Sequence, residues 1–243
     1  MTGGSVRIQR ALARAGIGSR RRADELVAAG RVSVNGAIAA VGQRVDPSLD
    51  RIAVDGAEIP RPSDATWLLL HKPPGVLTTA RDENAAARRT VFDLVPPNLR
   101  RPGLTYVGRL DYMTEGALLM TTNGAAAHRL THPSHQVERT YVATVQGRGV
   151  AAARARLRAG VDLEDGPVRP VAVAGRAIGD RRWEIEITLT EGRSHVVRRL
   201  CEAVGLSIER LVRTRYGPIA LGTLAPGAAR ELTKTERQLL EAD

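Results

Sequence analysis

The chain has 243 residues, a size that carries a real core in one large domain or in a large and a small one. Aromatic residues make up only 3%, so the core is built from Leu, Val, Ile and Ala, and the formal net charge of +10 points to a polyanionic partner. One cysteine, Cys201, excludes a disulfide framework and a cysteine zinc site, and no run of about 18 apolar residues exists to span a membrane. Met1-Thr2-Gly3-Gly4-Ser5 lacks the apolar centre of a signal peptide, so a cytoplasmic protein is expected.

Residues 6–59 read as a small separate unit. Ile8, Leu12 and Ala15 recur at helical spacing up to Gly16, and Ser19 is a plausible N-cap for a second helix, Arg20 to Ala29, stopped by Gly30. Val32-Ser33-Val34 and Ile52-Ala53-Val54 read as short strands, the first closed by the Asn35-Gly36 turn. Arg20-Arg21-Arg22 opens the second helix against the macrodipole, an arrangement that a bound anion compensates. Residues 60–65 are a proline-stiffened linker, and residues 66–243 form the large domain.

In that domain Trp67 to Leu70 reads as a strand leading into His71-Lys72-Pro73-Pro74-Gly75. Asp82 to Arg89 is polar and reads as a mobile loop. Next comes the central stretch, Gly108-Arg109-Leu110-Asp111-Tyr112-Met113-Thr114-Glu115-Gly116, between a strand ending at Val107 and another over Ala117 to Thr122. On spacing alone, Arg109 and Asp111 could equally be an incidental surface ion pair. Ala125 to Leu130 is a short helix. His132 and His135, three apart across a proline and without a nearby third ligand, fit backbone or RNA contacts better than a metal. Val137 to Val145 and Trp183 to Leu189 alternate as strands, Ala151 to Ala159 is a helix, and Val161 to Val173 is an irregular strand pair turning at Asp165-Gly166. Ser194 is placed to cap a helix from His195 to Val204. Strand-like Ile208 to Val212 follows, and Thr233 with Glu236 forms a capping box for a last helix.

Three motifs in order resemble those of the ribosomal-RNA pseudouridine synthases of the RsuA/RluB-like family: His71 to Gly75, Gly108 to Gly116, and Glu191-Gly192-Arg193-Ser194-His195-Val196-Val197-Arg198-Arg199. The N-terminal unit resembles the small RNA-binding domain shared with a small-subunit ribosomal protein. The resemblance runs from about Arg7 to Leu232 and implies an α+β fold: a small N-terminal αL-type RNA-binding domain joined to a larger synthase domain with a mixed, mainly antiparallel sheet and flanking helices. It further implies that Asp111 is the catalytic carboxylate, that Arg198 pairs with it, that Tyr141 lies against the target uracil, and that Arg109 fills the space a flipped base vacates. Arg10, Arg20 and Arg21, with Lys72 as a weaker candidate, become RNA contacts. No cofactor is implied, since the isomerisation involves no redox change, and no metal either. The expected partner is ribosomal RNA or a ribosomal-subunit precursor, with no membrane, and the expected state is a monomer. Arg210 to Gly217 looks closer to the large-subunit (23S) enzymes. Competing readings are a small-subunit (16S) enzyme, a non-catalytic ribosome-assembly factor, and a glycoside hydrolase using Asp111 and Glu115, which the shortage of aromatic platforms disfavours. Met113 and Val196 depart from the family pattern, which expects polar residues at both positions.

Overall fold

In the computed structural model, residues 5–18, 20–59, 65–80, 88–147 and 149–241 are described. The expected Ser19 cap, most of the linker, and all but the last two residues of the expected loop from Asp82 to Arg89 lie outside them. The chain forms two compact units. The first takes in Met1–Thr66 together with the short segments Arg100–Thr105 and Thr121–Gly124, which sequence reasoning had left with the large domain.

The first unit contains β1 (Val6–Arg7), α1 (Ile8–Arg14), α2 (Arg20–Ala28), β2 (Val32–Val34), β3 (Ala37–Ile38), β4 (Arg44–Val45), β5 (Ile52–Val54) and β6 (Ala57–Glu58). Both expected helices form because Ile8 and Leu12 on α1 meet Ala23, Leu26 and Val27 on α2 in one core, closed by Val32, Val34 and Ile52 of the sheet β3-β2-β5-β6. The strands β3, β4 and β6 carry too few residues to show a period, and all three pair antiparallel with neighbours.

The second unit is built on a sheet in the order β13-β14-β10-β15-β9-β7-β17. Its elements are β7 (Trp67–Lys72), β8 (Thr105–Tyr106), β9 (Glu115–Thr121), α3 (Gly124–Thr131), β10 (Arg139–Gln146), α4 (Val150–Ala159), β11 (Val161–Leu163), β12 (Gly166–Val168), β13 (Ala172–Gly179), β14 (Arg182–Leu189), α5 (Val196–Ala203), β15 (Ser207–Tyr216), β16 (Ile219–Ala220), β17 (Ala229–Glu231) and α6 (Lys234–Glu241). The sheet is mixed and mainly antiparallel, as expected. Its parallel step is β15 beside β9, where Val212 faces Glu115 and Arg213 faces Gly116. β7 and β9 are buried along their whole lengths, which is why Trp67 to Leu70 and Ala117 to Met120 within them are apolar without alternation.

Gly116 is fixed by this crossing. Its φ is +112°, and a Cβ there would sit 2.2 Å from the Arg213 carbonyl oxygen. Only glycine lets β15 run that close. Behind the sheet, α5 packs on β11 and β15 and buries Cys201, whose thiol is pushed up to about 12 by desolvation. The capping box forms as expected: the Thr233 amide donates to Glu236 Oε2 at 2.8 Å, and the Glu236 amide to Thr233 Oγ1 at 3.2 Å. No described helix is long and apolar enough to cross a membrane.

Candidate active site

The site is built on the loop between β8 and β9. Asp111 opens a tight turn in which the Thr114 amide donates to the Asp111 carbonyl at 3.0 Å, so Tyr112 and Met113 form the corner. The loop is tied down on both sides of Asp111 by the segment that follows β7. Thr78 Oγ1 donates to the Leu110 carbonyl at 2.8 Å, and the Gly75 amide donates to the Tyr112 carbonyl at 2.9 Å. The His71-to-Gly75 motif and the residues after it therefore clamp this loop.

Lys72 departs from its expected role as a phosphate contact. It is completely buried, and its Nζ donates to the carbonyls of Pro73 (3.0 Å), Tyr112 (3.0 Å) and Thr114 (2.9 Å). All three of its protons are committed to holding the loop, leaving none for RNA. Burial pushes this ammonium down to about 8, while the Asp111 and Glu115 carboxylates act in the opposite direction.

The Asp111 carboxylate is about one-third exposed, and the side chain against it is His195, with Nδ1 3.4 Å from Oδ2. The expected Arg198–Asp111 ion pair is not formed. Arg198 lies three residues further along the helix, and its guanidinium donates to the Met113 carbonyl at 3.4 Å. The reason is the start of α5. Ser194 does not cap it. His195 occupies the N-cap position with φ +53°, a left-handed conformation that histidine tolerates better than most residues. That turn swings the imidazole, not the guanidinium, onto the carboxylate. Nothing in the sequence marks His195 for this beyond its place in the third motif.

The base of α5 is braced by Asp165, which accepts from Arg193 Nη1 (3.0 Å) and from both terminal nitrogens of Arg199 (2.8 and 2.9 Å), tying the β11–β12 turn to the third motif. Glu115 is committed as well: Arg210 grips it bidentately, Nε to Oε1 at 3.0 Å and Nη2 to Oε2 at 2.7 Å. A carboxylate held that way is a poor partner for Asp111 in glycoside hydrolysis, and that reading is set aside.

Tyr141 lies on β10 opposite Arg213, which in turn faces Gly116 at the end of the Asp111 loop. Tyr141 is 8% exposed, so the strand tyrosine is buried. Two strand spacings, roughly 10 Å, separate it from the backbone of Gly116. Arg109 is exposed and makes no polar contact among the described residues. A cluster that sequence reasoning missed supports β15: Tyr216 is fully buried with the guanidinium groups of Arg139 and Arg213 over its ring at 5.1 and 4.9 Å, and its hydroxyl donates to the Leu130 carbonyl at 2.8 Å. The bonds joining these residues span up to 86 positions of chain, so no local pattern announces them.

His132 bonds locally, its Nδ1 accepting from the Ser134 amide and lying 2.8 Å from Ser134 Oγ. In the first unit, Arg10 is half-exposed and Arg21 exposed, and Arg22 pairs with Glu25 at 2.8 Å. The side chain of Arg20 lies outside the described residues. Arg14, one turn beyond Arg10 on α1, is pushed below the usual guanidinium value by burial first and by the charge of Arg10 second. Two like charges at this spacing attract an anion.

The RNA pseudouridylate synthase family pattern matches residues 66–203, and the S4 domain pattern matches residues 6–50. An RNA pseudouridine synthase of Mycobacterium leprae is 43% identical over 241 residues, covering 97% of this chain and 93% of that protein. A ribosomal large subunit pseudouridine synthase B of Escherichia coli is 46% identical over 225 residues, covering 89% of this chain and 76% of that one. A crystal structure of a pseudouridylate synthase superposes with a TM-score of 0.62 at 26% identity, covering 97% of this chain and all of that one. The chain belongs to the RNA pseudouridylate synthase family: it is an enzyme that isomerises uridine in RNA to pseudouridine, with an S4 domain ahead of its catalytic domain.

Proposed function

We propose that this enzyme isomerises a specific uridine of large-subunit ribosomal RNA, with Asp111 as the reacting carboxylate. The relatives named for the large ribosomal subunit support the choice of RNA, as does the +10 charge. The observation that carries the role of Asp111 is its setting: a partly exposed carboxylate on a loop whose backbone is bonded at Leu110, Tyr112 and Thr114. Such fixation holds a reacting group in place before substrate arrives.

The reaction breaks the bond from uracil N1 to the ribose, turns the base and rejoins it through C5, which gives up its proton. No electrons are exchanged with a partner. Asp111 serves either by attacking the sugar or by removing a sugar proton, and both routes need it ionised. Tyr141 offers its ring to the uracil from β10, two strands away in the sheet. A base leaves its stack at a cost of a few kcal/mol, and Arg109, two residues before Asp111, fills the gap. Arg198 supports the turn through Met113, and its charge suits the RNA backbone. Arg10, Arg20 and Arg21 grip phosphates from the S4 domain.

The test is a pseudouridine map of ribosomal RNA from a strain lacking this protein, complemented with wild type or with Asp111→Asn. One large-subunit site that disappears and returns only with wild type is the expected result. A lost site in small-subunit RNA transfers the enzyme to that subunit. Full restoration by Asp111→Asn removes Asp111 from the chemistry.

A further inference from the structure

The chain has seven aromatic residues, and Tyr112 is the one classed as exposed, at 41%. Trp67, Tyr141 and Tyr216 are buried, and Phe92, Tyr106 and Trp183 are half-buried. Tyr112 follows Asp111 directly and shares the turn corner with Met113, which is 58% exposed. Two large apolar side chains thus stand in water at the tip of the loop that carries the reacting carboxylate. The mounting is rigid: the Tyr112 carbonyl accepts from both Gly75 and Lys72, and the Met113 carbonyl accepts from Arg198. None of these bonds uses the tyrosine side chain. The guanidinium of Arg88 lies 6.0 Å over the ring, which adds positive charge where an RNA strand would run. Tyr112 is the residue next to Asp111 in the chain, so a base beside a uridine held at Asp111 comes within reach of this corner.

We infer that Tyr112, flanked by Met113, is a stacking platform for the unpaired base next to the target uridine, so that the catalytic loop contributes to substrate selection as well as to chemistry. This deepens the ribosomal-RNA reading and rests on it. Stacking on an aromatic ring accepts any base. The platform therefore favours a target in a loop or bulge, where the neighbouring base is unpaired, over one in a continuous helix.

The test uses a stem–loop RNA carrying the mapped uridine, and two matched RNAs in which the base on its 5′ or its 3′ side is replaced by an abasic ribose. Wild type, Tyr112→Phe and Tyr112→Ala are compared by KM and kcat. On the intact RNA, Tyr112→Ala raises KM roughly tenfold, the scale of one lost base–aromatic stack, while kcat is kept and Tyr112→Phe matches wild type. On one of the two abasic RNAs, wild type loses its advantage over Tyr112→Ala. The inference is overturned if Tyr112→Ala equals wild type on intact RNA, if its penalty is undiminished on both abasic RNAs, if only kcat falls, or if Tyr112→Phe falls with it. A wild-type chain that converts no large-subunit uridine sinks the large-subunit reading first. A converting wild type with an indifferent Tyr112→Ala sinks only the platform.

Discussion

The Asp111 loop and the arginines of the S4 domain carry charge in opposite ways. Around Asp111 three cations are committed, Lys72 to three carbonyls, Arg210 to Glu115 and Arg199 to Asp165, while Arg109 stays exposed. In the S4 domain, Arg10 and Arg21 remain open to solvent, and the Arg14 guanidinium is pushed down by burial first and by the charge of Arg10 second. Chemistry on a single atom needs position, and buried, bonded charge gives position. Holding a polyanion needs reach and counterion release, which only solvated charge gives.

The comparison breaks most visibly at Asp111. Asp111→Asn keeps the size and loses the charge, and turnover is expected to fall by about 10³-fold or more, measured as release of label from C5 of uridine in RNA. Lys72→Met comes next. It fills a similar volume but takes the Lys72 donor from the carbonyls of Pro73 and Thr114 and leaves Tyr112 with the Gly75 amide alone, so it should cost roughly 1–3 kcal/mol in chemical denaturation and lower kcat more than it raises KM. The same residue gives a pH test. The fold holds Lys72 at about 8 against 10.5 for a free lysine. Between these values the unfolded chain binds more protons than the folded one, so the contribution of this group to stability rises with pH. A neutral amine has only two N–H groups for three carbonyls, so wild-type kcat should decline above pH 8 while this group adds no loss of stability, and Lys72→Met should lack that alkaline limb.

A smaller effect belongs to α6. Its Glu236 carboxyl is pulled down to about 2, by Arg230 first, so the stability it contributes is complete above 4.5 and lost as pH falls towards 2. Thr233→Ala should cost about 1 kcal/mol by thermal unfolding. Smallest are Arg10→Ala and Arg21→Ala. Each should weaken RNA binding similarly across sequences and reduce the slope of log affinity against log salt by roughly one, with kcat unchanged at saturating RNA. A large kcat effect from either would erase the division of labour between the two regions.

Most of the frame was legible because it is periodic. Ile8 and Leu12, the alternation of Trp183 to Leu189, and the Thr233–Glu236 box each announce a local structure that forms. β13 and β17 escaped because their burial does not alternate: β13 is exposed along its second half, and β17 is held by backbone pairing of Ala229, Arg230 and Glu231 to β7. In the site, the position of Asp111 was legible and its neighbour was not. A guanidinium three residues along a helix and an imidazole at its N-cap look equally able to reach a carboxylate until the positive φ of His195 decides between them. Lys72 looked like a phosphate ligand because sequence shows a charge and hides its burial. Tyr216 and its two arginines depend wholly on strands distant in the chain.

The buried Cys201 has a practical consequence. It is the only cysteine, enclosed under α5 with its thiol held at about 12, so at neutral pH it presents almost no thiolate to a maleimide or an oxidant. The native chain is chemically silent to thiol labels. A cysteine placed at exposed Leu49 in the first unit and another at exposed Leu239 in the second would take a donor and an acceptor dye without a background site. Energy transfer between them, read with and without RNA, makes the chain its own ruler for how the S4 domain and the catalytic domain approach each other on the substrate.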